Sequence, residues 1–128
     1  MRALLDTHAL LWAIINPELL SPTAADIIDD KASAIIVSAA SAWEIATKVR
    51  LGKLHRAEAF ERNFLGTLNA RGYTVLPIEP ETALRAGRFP ASHGDPFDRI
   101  LAAQAIALDI PVISLDPKLD QFGVRRIW

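Results

Sequence analysis

The sequence predicts an α/β protein, a single-domain α/β/α sandwich around a mainly parallel central sheet, and three observations lead there. Short β-rich apolar runs alternate with longer stretches whose apolar residues recur at helical spacing. The strand runs are apolar almost without interruption; a sheet with one wet face would alternate apolar and polar residues, so both faces are covered. Finally, 128 residues, 51% of them hydrophobic, can bury a sizeable core as one domain over residues 1–128, without disulfides or a structural zinc.

The elements follow in order. RALLD (Arg2 to Asp6) reads as the first strand and Thr7 to Ile15 as a helix. Ser21-Pro22, an N-cap followed by a proline in the first turn, opens a helix to Lys31. AIIVS (Ala34 to Ser38) is a strand, and Ser41 to Leu51 a helix that Gly52 ends. Ala57 to Arg71 carries one continuous helical pattern closed by Gly72. YTVLPI (Tyr73 to Ile78) is a strand and Pro80 to Arg88 a helix, followed by the most loop-like stretch, Gly87 to Gly94. Asp95-Pro96 caps a helix running to Leu108, PVISLD (Pro111 to Asp116) is a strand, and VRRIW supplies a short last one.

Composition narrows the function. There is no cysteine, which removes thiol catalysis and Cys-ligated metals and makes a reducing cytoplasm the expected home. The apolar opening run is interrupted by Asp6 and His8 with no cleavage site after it, so we read mature protein from Met1. No apolar stretch approaches the roughly 20 residues that span a bilayer, so a soluble protein with no membrane partner is expected. The net charge of −1, from 14 basic and 15 acidic residues, argues against binding nucleic acid through a general basic field.

Ligands of open α/β sheets bind beyond the carboxyl ends of the strands, where the strand order reverses. Four segments deliver a carboxylate there: RALL ends at Asp6, AIIVS leads into the helix carrying Glu44, HGDPFDR opens a helix with Asp95 and Asp98, and VISL ends at Asp116. Each acid also has an ordinary structural reading. Asp116 and Asp95 precede prolines as N-caps, Glu44 can form a capping box with Ser41 or pair with Lys48, and Asp98 can favour the positive end of its helix. Together they are costly, because converging carboxylates resist ionisation unless a cation compensates. Oxygen-only ligation suits Mg²⁺ or Mn²⁺, and the scattered His8, His55 and His93 lack zinc-type spacing. With Asp95 as cap, Asp98 sits above Leu101 and Ala102 on an apolar face and points inward. Asp95, explained by capping and by a pair with Arg99, ranks second as a ligand.

Four segments in this order, LLDTHALLW, VSAASAWEIATKVRLGKL, HGDPFDRILAAQA and PVISLDPKLDQFGV with the terminal IW, resemble the PIN-domain family, most closely its VapC-type toxins of bacterial toxin–antitoxin pairs. The resemblance implies a PIN-like nuclease domain and a Mg²⁺- or Mn²⁺-dependent endoribonuclease. The family's four acids fall on Asp6, Glu44, Asp98 and Asp116 as catalytic metal ligands, with Asp95 belonging to a DPFD variant of the third. Ser114 matches a polar residue beside the last acid and would orient a ligand. One or two ions would activate water for in-line attack on the phosphate, leaving 5′-phosphate and 3′-hydroxyl ends. The expected partners are an RNA substrate, a cognate VapB-like antitoxin and a second copy of the chain.

Other residues have two readings each. Lys48, Arg50, Lys53 and Arg56 can guide RNA or form a solvated helix end. Trp12, Trp43 and Trp128 can stack bases; core is the expectation for Trp43, and packing or subunit contact for Trp12. Phe60, Phe64 and Leu68, with Leu65 beside them, form a stripe that packs inward or receives an antitoxin helix. Three other readings compete with the active nuclease. A haloacid-dehalogenase-like phosphatase wants a second Asp where His8 stands, a receiver-like module wants paired acids after the first strand, where Asp6 is alone, and a PIN-like fold that only binds its partner is disfavoured by the presence of all four matched acids.

Overall fold

The computed structural model describes residues 1–128, and its architecture is the predicted sandwich. Strands β1 (Arg2–Leu5), β2 (Ala34–Ser38), β3 (Thr74–Leu76), β4 (Val112–Ile113) and β5 (Arg126–Ile127) form one sheet in the order β3-β2-β1-β4-β5. Every pairing is parallel, with Leu4 in register with both Ile36 and Val112. The helices are α1 (Thr7–Ile15), α2 (Pro22–Asp29), α3 (Ala39–Arg50), α4 (Glu58–Arg62), α5 (Phe64–Arg71), α6 (Pro80–Arg88) and α7 (Pro96–Leu108).

Strand residues alternate between two cores. Ala3, Leu5, Ile35, Val37 and Ile113 pack on one face with Leu10, Ile45 and Leu68. Leu4, Ile36 and Val112 pack on the other with Leu101, Ala102 and Phe122. A strand buried on both faces has no reason to alternate apolar with polar, which explains the unbroken apolar runs.

Helix starts follow their caps. The Ser21 hydroxyl accepts from Ala24 N at 3.0 Å and Asp95 Oδ1 accepts from Phe97 N at 2.9 Å, each with a proline in the first turn. For α3 the cap is Ser38, which accepts from Ala40 N, so the helix begins two residues earlier than expected. Ser41 is instead buried against the Thr7 hydroxyl at 3.0 Å, and the capping box with Glu44 does not form. β3 is shorter than the apolar run because Pro77 has no N–H to give a ladder.

The expected single helix over Ala57 to Arg71 is two, broken at Asn63 (φ −121°, ψ 39°). The Asn63 side chain folds over Gly66, where a Cβ would come within 2.3 Å of its Oδ1. Phe60 and Leu68, one on either side of the break, are both buried in the core, and Phe64 packs on Phe60 with ring centroids 5.2 Å apart. The stripe faces inward and is not an open groove; Leu65 alone of this set is exposed.

Candidate metal centre

The strand order reverses at β1, between β2 and β4, and Asp6 is the residue that follows β1. Its backbone N–H continues the ladder to Ile113 O at 3.1 Å. Its side chain is 5% exposed and doubly held: Oδ1 caps α1 by accepting from Ala9 N at 2.7 Å, and Oδ2 accepts a short hydrogen bond from the Ser114 hydroxyl. Burial pushes the Asp6 carboxyl up to about 6, against the opposing effect of these two donors, and the Asp98 charge pushes the same way.

Ser114 ties the neighbouring strand ends together. While donating to Asp6, its oxygen accepts from Asp116 N at 3.0 Å. Asp116 in turn accepts from Lys118 N at 2.9 Å, so the expected cap is real, although it caps a 3₁₀ turn. Asp6 and Asp116 line one cavity of about 330 Å³ with His8, Trp12, Leu115 and Pro117.

Glu44 and Asp98 come from facing helices. Glu44 is buried on α3 and pairs with Lys48 Nζ at 2.5 Å. That pairing turns Lys48 inward, whereas Arg50, Lys53 and Arg56 remain exposed. Asp98, three residues into α7 after its Asp95 cap, is drawn up above the usual carboxylate range by burial and by the charges of Asp95 and Glu44, with the His93 hydrogen bond opposing. Of the four matched acids, Glu44 alone is paired with a lysine or arginine.

His93 is the residue that sequence reasoning missed. Its Nε2 lies 2.8 Å from Asp98 Oδ2, and the ligand-capable atoms of His93, Asp98 and Asp116 all lie within 4.8 Å of one another. The three histidines are scattered in sequence, and zinc-type spacing says nothing about a loop that folds back on a helix. The signal was HGDPFD itself, since capping by Asp95 turns the chain sharply just before α7.

Two further expectations are corrected here. Arg99 forms no ion pair with Asp95; its guanidinium donates to the carbonyls of Ala86, Gly87, Phe89, Ala91 and His93 and so binds the preceding loop to α7. Trp43 is 59% exposed instead of core, because α3 turns its Glu44 and Ile45 inward, and its ring meets Phe97 edge-on with centroids 4.7 Å apart. Trp12 packs as expected, 5.5 Å from Trp128.

The donor set fits a divalent cation. Asp6 and Asp98 are carboxylates that burial pushes toward the neutral form, with the charge of Asp98 adding to it at Asp6 and those of Asp95 and Glu44 at Asp98, and positive charge at that point opposes these effects. An all-parallel α/β sheet with such acids gathered at its switch point defines a class of protein with its chemistry at the strand ends. The particular family follows from comparison: the model of the PIN domain matches residues 3–124, and the chain belongs to that family.

Its fold is also that of solved structures of low sequence identity. A chain of VapBC2 from Rickettsia felis bound to a DNA fragment from their promoter superposes with a TM-score of 0.71 at 15% identity, covering 99% of this chain and 98% of that one. A chain of FitAcB from Neisseria gonorrhoeae gives 0.61 at 18% identity, covering 98% and 96%. A chain of FitAB bound to an IR36 DNA fragment gives 0.62 at 21% identity, covering 98% and 93%. No curated protein sequence matches significantly.

Proposed function

We propose that the protein is a Mg²⁺- or Mn²⁺-dependent endoribonuclease and the toxin of a toxin–antitoxin pair, held inactive by a cognate VapB-like antitoxin. The observation that carries the reading is the gathering of Asp6, Asp98 and Asp116 at the strand ends of a PIN domain, with Glu44 facing them from α3. The VapBC2 and FitAB complexes among the structures of like fold support the antitoxin half of it.

Asp6, Asp98 and Asp116 would hold the cation, with Glu44 joining them when it releases Lys48. A divalent ion in that position supplies Lewis acidity and positive charge at the scissile phosphate. Ser114 fixes the Asp6 carboxylate toward the cavity through one hydroxyl bridge and holds the Asp116 backbone with the same oxygen. Lys53 and Arg56 line a second cavity that shares His8 and Trp12 with the first, so they border the path an RNA strand takes to the acids. Asp95 holds the start of α7 and thereby the height of Asp98. The working state is a cytoplasmic homodimer.

The test is cleavage of an RNA pool by the purified protein with Mg²⁺, with Mn²⁺ and with chelator. Asp98→Asn is expected to lower cleavage by at least about a hundredfold, with 5′-phosphate ends on the products of the unaltered chain. Equal activity in chelator, or full activity of both Asp98→Asn and Asp6→Asn, overturns the reading.

A further inference from the structure

We infer that His93 is itself a ligand of the bound cation, which makes the centre a mixed nitrogen–oxygen site that holds Mn²⁺ in preference to Mg²⁺. The inference rests on the reading above that this site binds a divalent ion, and adds to it a donor that the four acids do not include.

Geometry is the first argument. Neighbouring ligands of an octahedral ion at about 2.1 Å stand about 3 Å apart, and opposite ligands about 4.2 Å apart. His93 Nε2 and Asp98 Oδ2 are separated by 2.8 Å, and no pair within the set formed with Asp116 exceeds 4.8 Å. Small side-chain movements therefore close the three atoms around one ion.

The second argument is that the imidazole is held in place. The His93 side chain is 13% exposed, and its ring lies 5.9 Å from that of Phe122. Its backbone N–H donates to Gln121 Oε1 at 3.2 Å and its carbonyl accepts from Arg99 at 2.9 Å. The same guanidinium grips the loop back to Ala86 and sits 5.8 Å from the Phe122 ring centre. Main chain and ring are thus fixed from α7 and from the 3₁₀ turn after β4, the two elements that carry Asp98 and Asp116.

Ligand chemistry then decides which ion is favoured. Carboxylates alone suit Mg²⁺, which keeps most of its waters, whereas an imidazole nitrogen favours first-row transition ions. One nitrogen among several oxygens therefore tilts the site from Mg²⁺ toward Mn²⁺, the first-row ion that oxygen-rich sites also suit.

The experiment adds Mn²⁺ to the metal-free protein and records electron spin-echo modulation from nitrogen coupled to the ion, with calorimetry for affinity. The unaltered chain is expected to show nitrogen modulation and to bind Mn²⁺ roughly tenfold or more tightly than Mg²⁺. In His93→Gln the modulation disappears and the Mn²⁺ advantage falls toward unity, while His55→Gln, a change at an exposed residue, keeps both. Bound Mn²⁺ without nitrogen modulation in the unaltered chain overturns the inference whatever the variants do. RNA cleavage that needs Asp98 but comes without that modulation leaves the nuclease reading standing and His93 a hydrogen-bond partner only. Nitrogen modulation in a protein that cleaves no RNA does the reverse.

Discussion

Asp6 uses its two carboxylate oxygens differently, one as a helix cap and one against a serine that belongs to the adjacent strand. Burial outweighs both donors, so its folded value rises from 3.8 to about 6. A raised value means that this group's share of stability is complete below 3.8 and is lost as pH rises through about 6 in the metal-free protein. Asp6→Asn keeps a capping oxygen and removes the charge, so it is expected to stabilise the metal-free chain at neutral pH by about 1–3 kcal/mol. Urea unfolding in chelator measures this, and a loss of stability in the variant refutes it. Protons and cation compete for the same oxygens, so Mn²⁺ affinity is expected to strengthen steeply from roughly pH 5 to pH 7, by calorimetry. Asp6, Asp95 and Asp116 were legible as single residues because strand ends and Asp-Pro turns have their own local chemistry. Trp43 was not: its exposure depends on which face of α3 meets α7, and an aromatic residue in a mostly apolar helix carries no mark of that.

The stretch from Gly87 to Gly94 reads as a loop and is one, yet it is among the better anchored segments near the site. Arg99 reaches back from α7 to its carbonyls, a role only a planar fork with several donors fills. Arg99→Lys keeps the charge and loses most of those bonds. The expected outcome is a loss of about 1–3 kcal/mol, with faster amide exchange over residues 86–94 and weaker Mn²⁺ binding. Unchanged exchange in that segment shows that the loop holds itself and Arg99 is incidental. Sequence pattern cannot reveal this kind of contact, because guanidinium-to-carbonyl bonds leave no complementary charge to find. The break at Asn63 was hidden for a related reason: the helical period continues straight through it, and the folding of the Asn63 side chain over Gly66 leaves no mark in that pattern.

At the scale of the molecule, the sequence made a mainly parallel sheet and its two covered faces readable, since doubly buried strands must be apolar throughout. Strand order was not readable, and it is strand order that sets β1 between β2 and β4 and so brings together acids that lie as far apart in the chain as Asp6 and Asp116. The consequence is that the proposed site belongs to the fold as a whole: the segments that carry Asp6, Glu44, Asp98 and Asp116 come near one another only when the strands and facing helices are all in place. An ion that binds there binds the folded state alone, so a concentration one hundred times its dissociation constant adds about 2.7 kcal/mol to stability. For a chain of this size that raises the melting temperature by roughly 10 °C. The rise is expected with Mn²⁺ and to be absent in an Asp98→Asn, Asp116→Asn double variant, whose metal-free melting temperature should equal or exceed that of the unaltered chain because carboxylate repulsion is relieved. Differential scanning calorimetry with and without the ion checks both halves, and an equal rise in the double variant places the bound cation elsewhere on the protein.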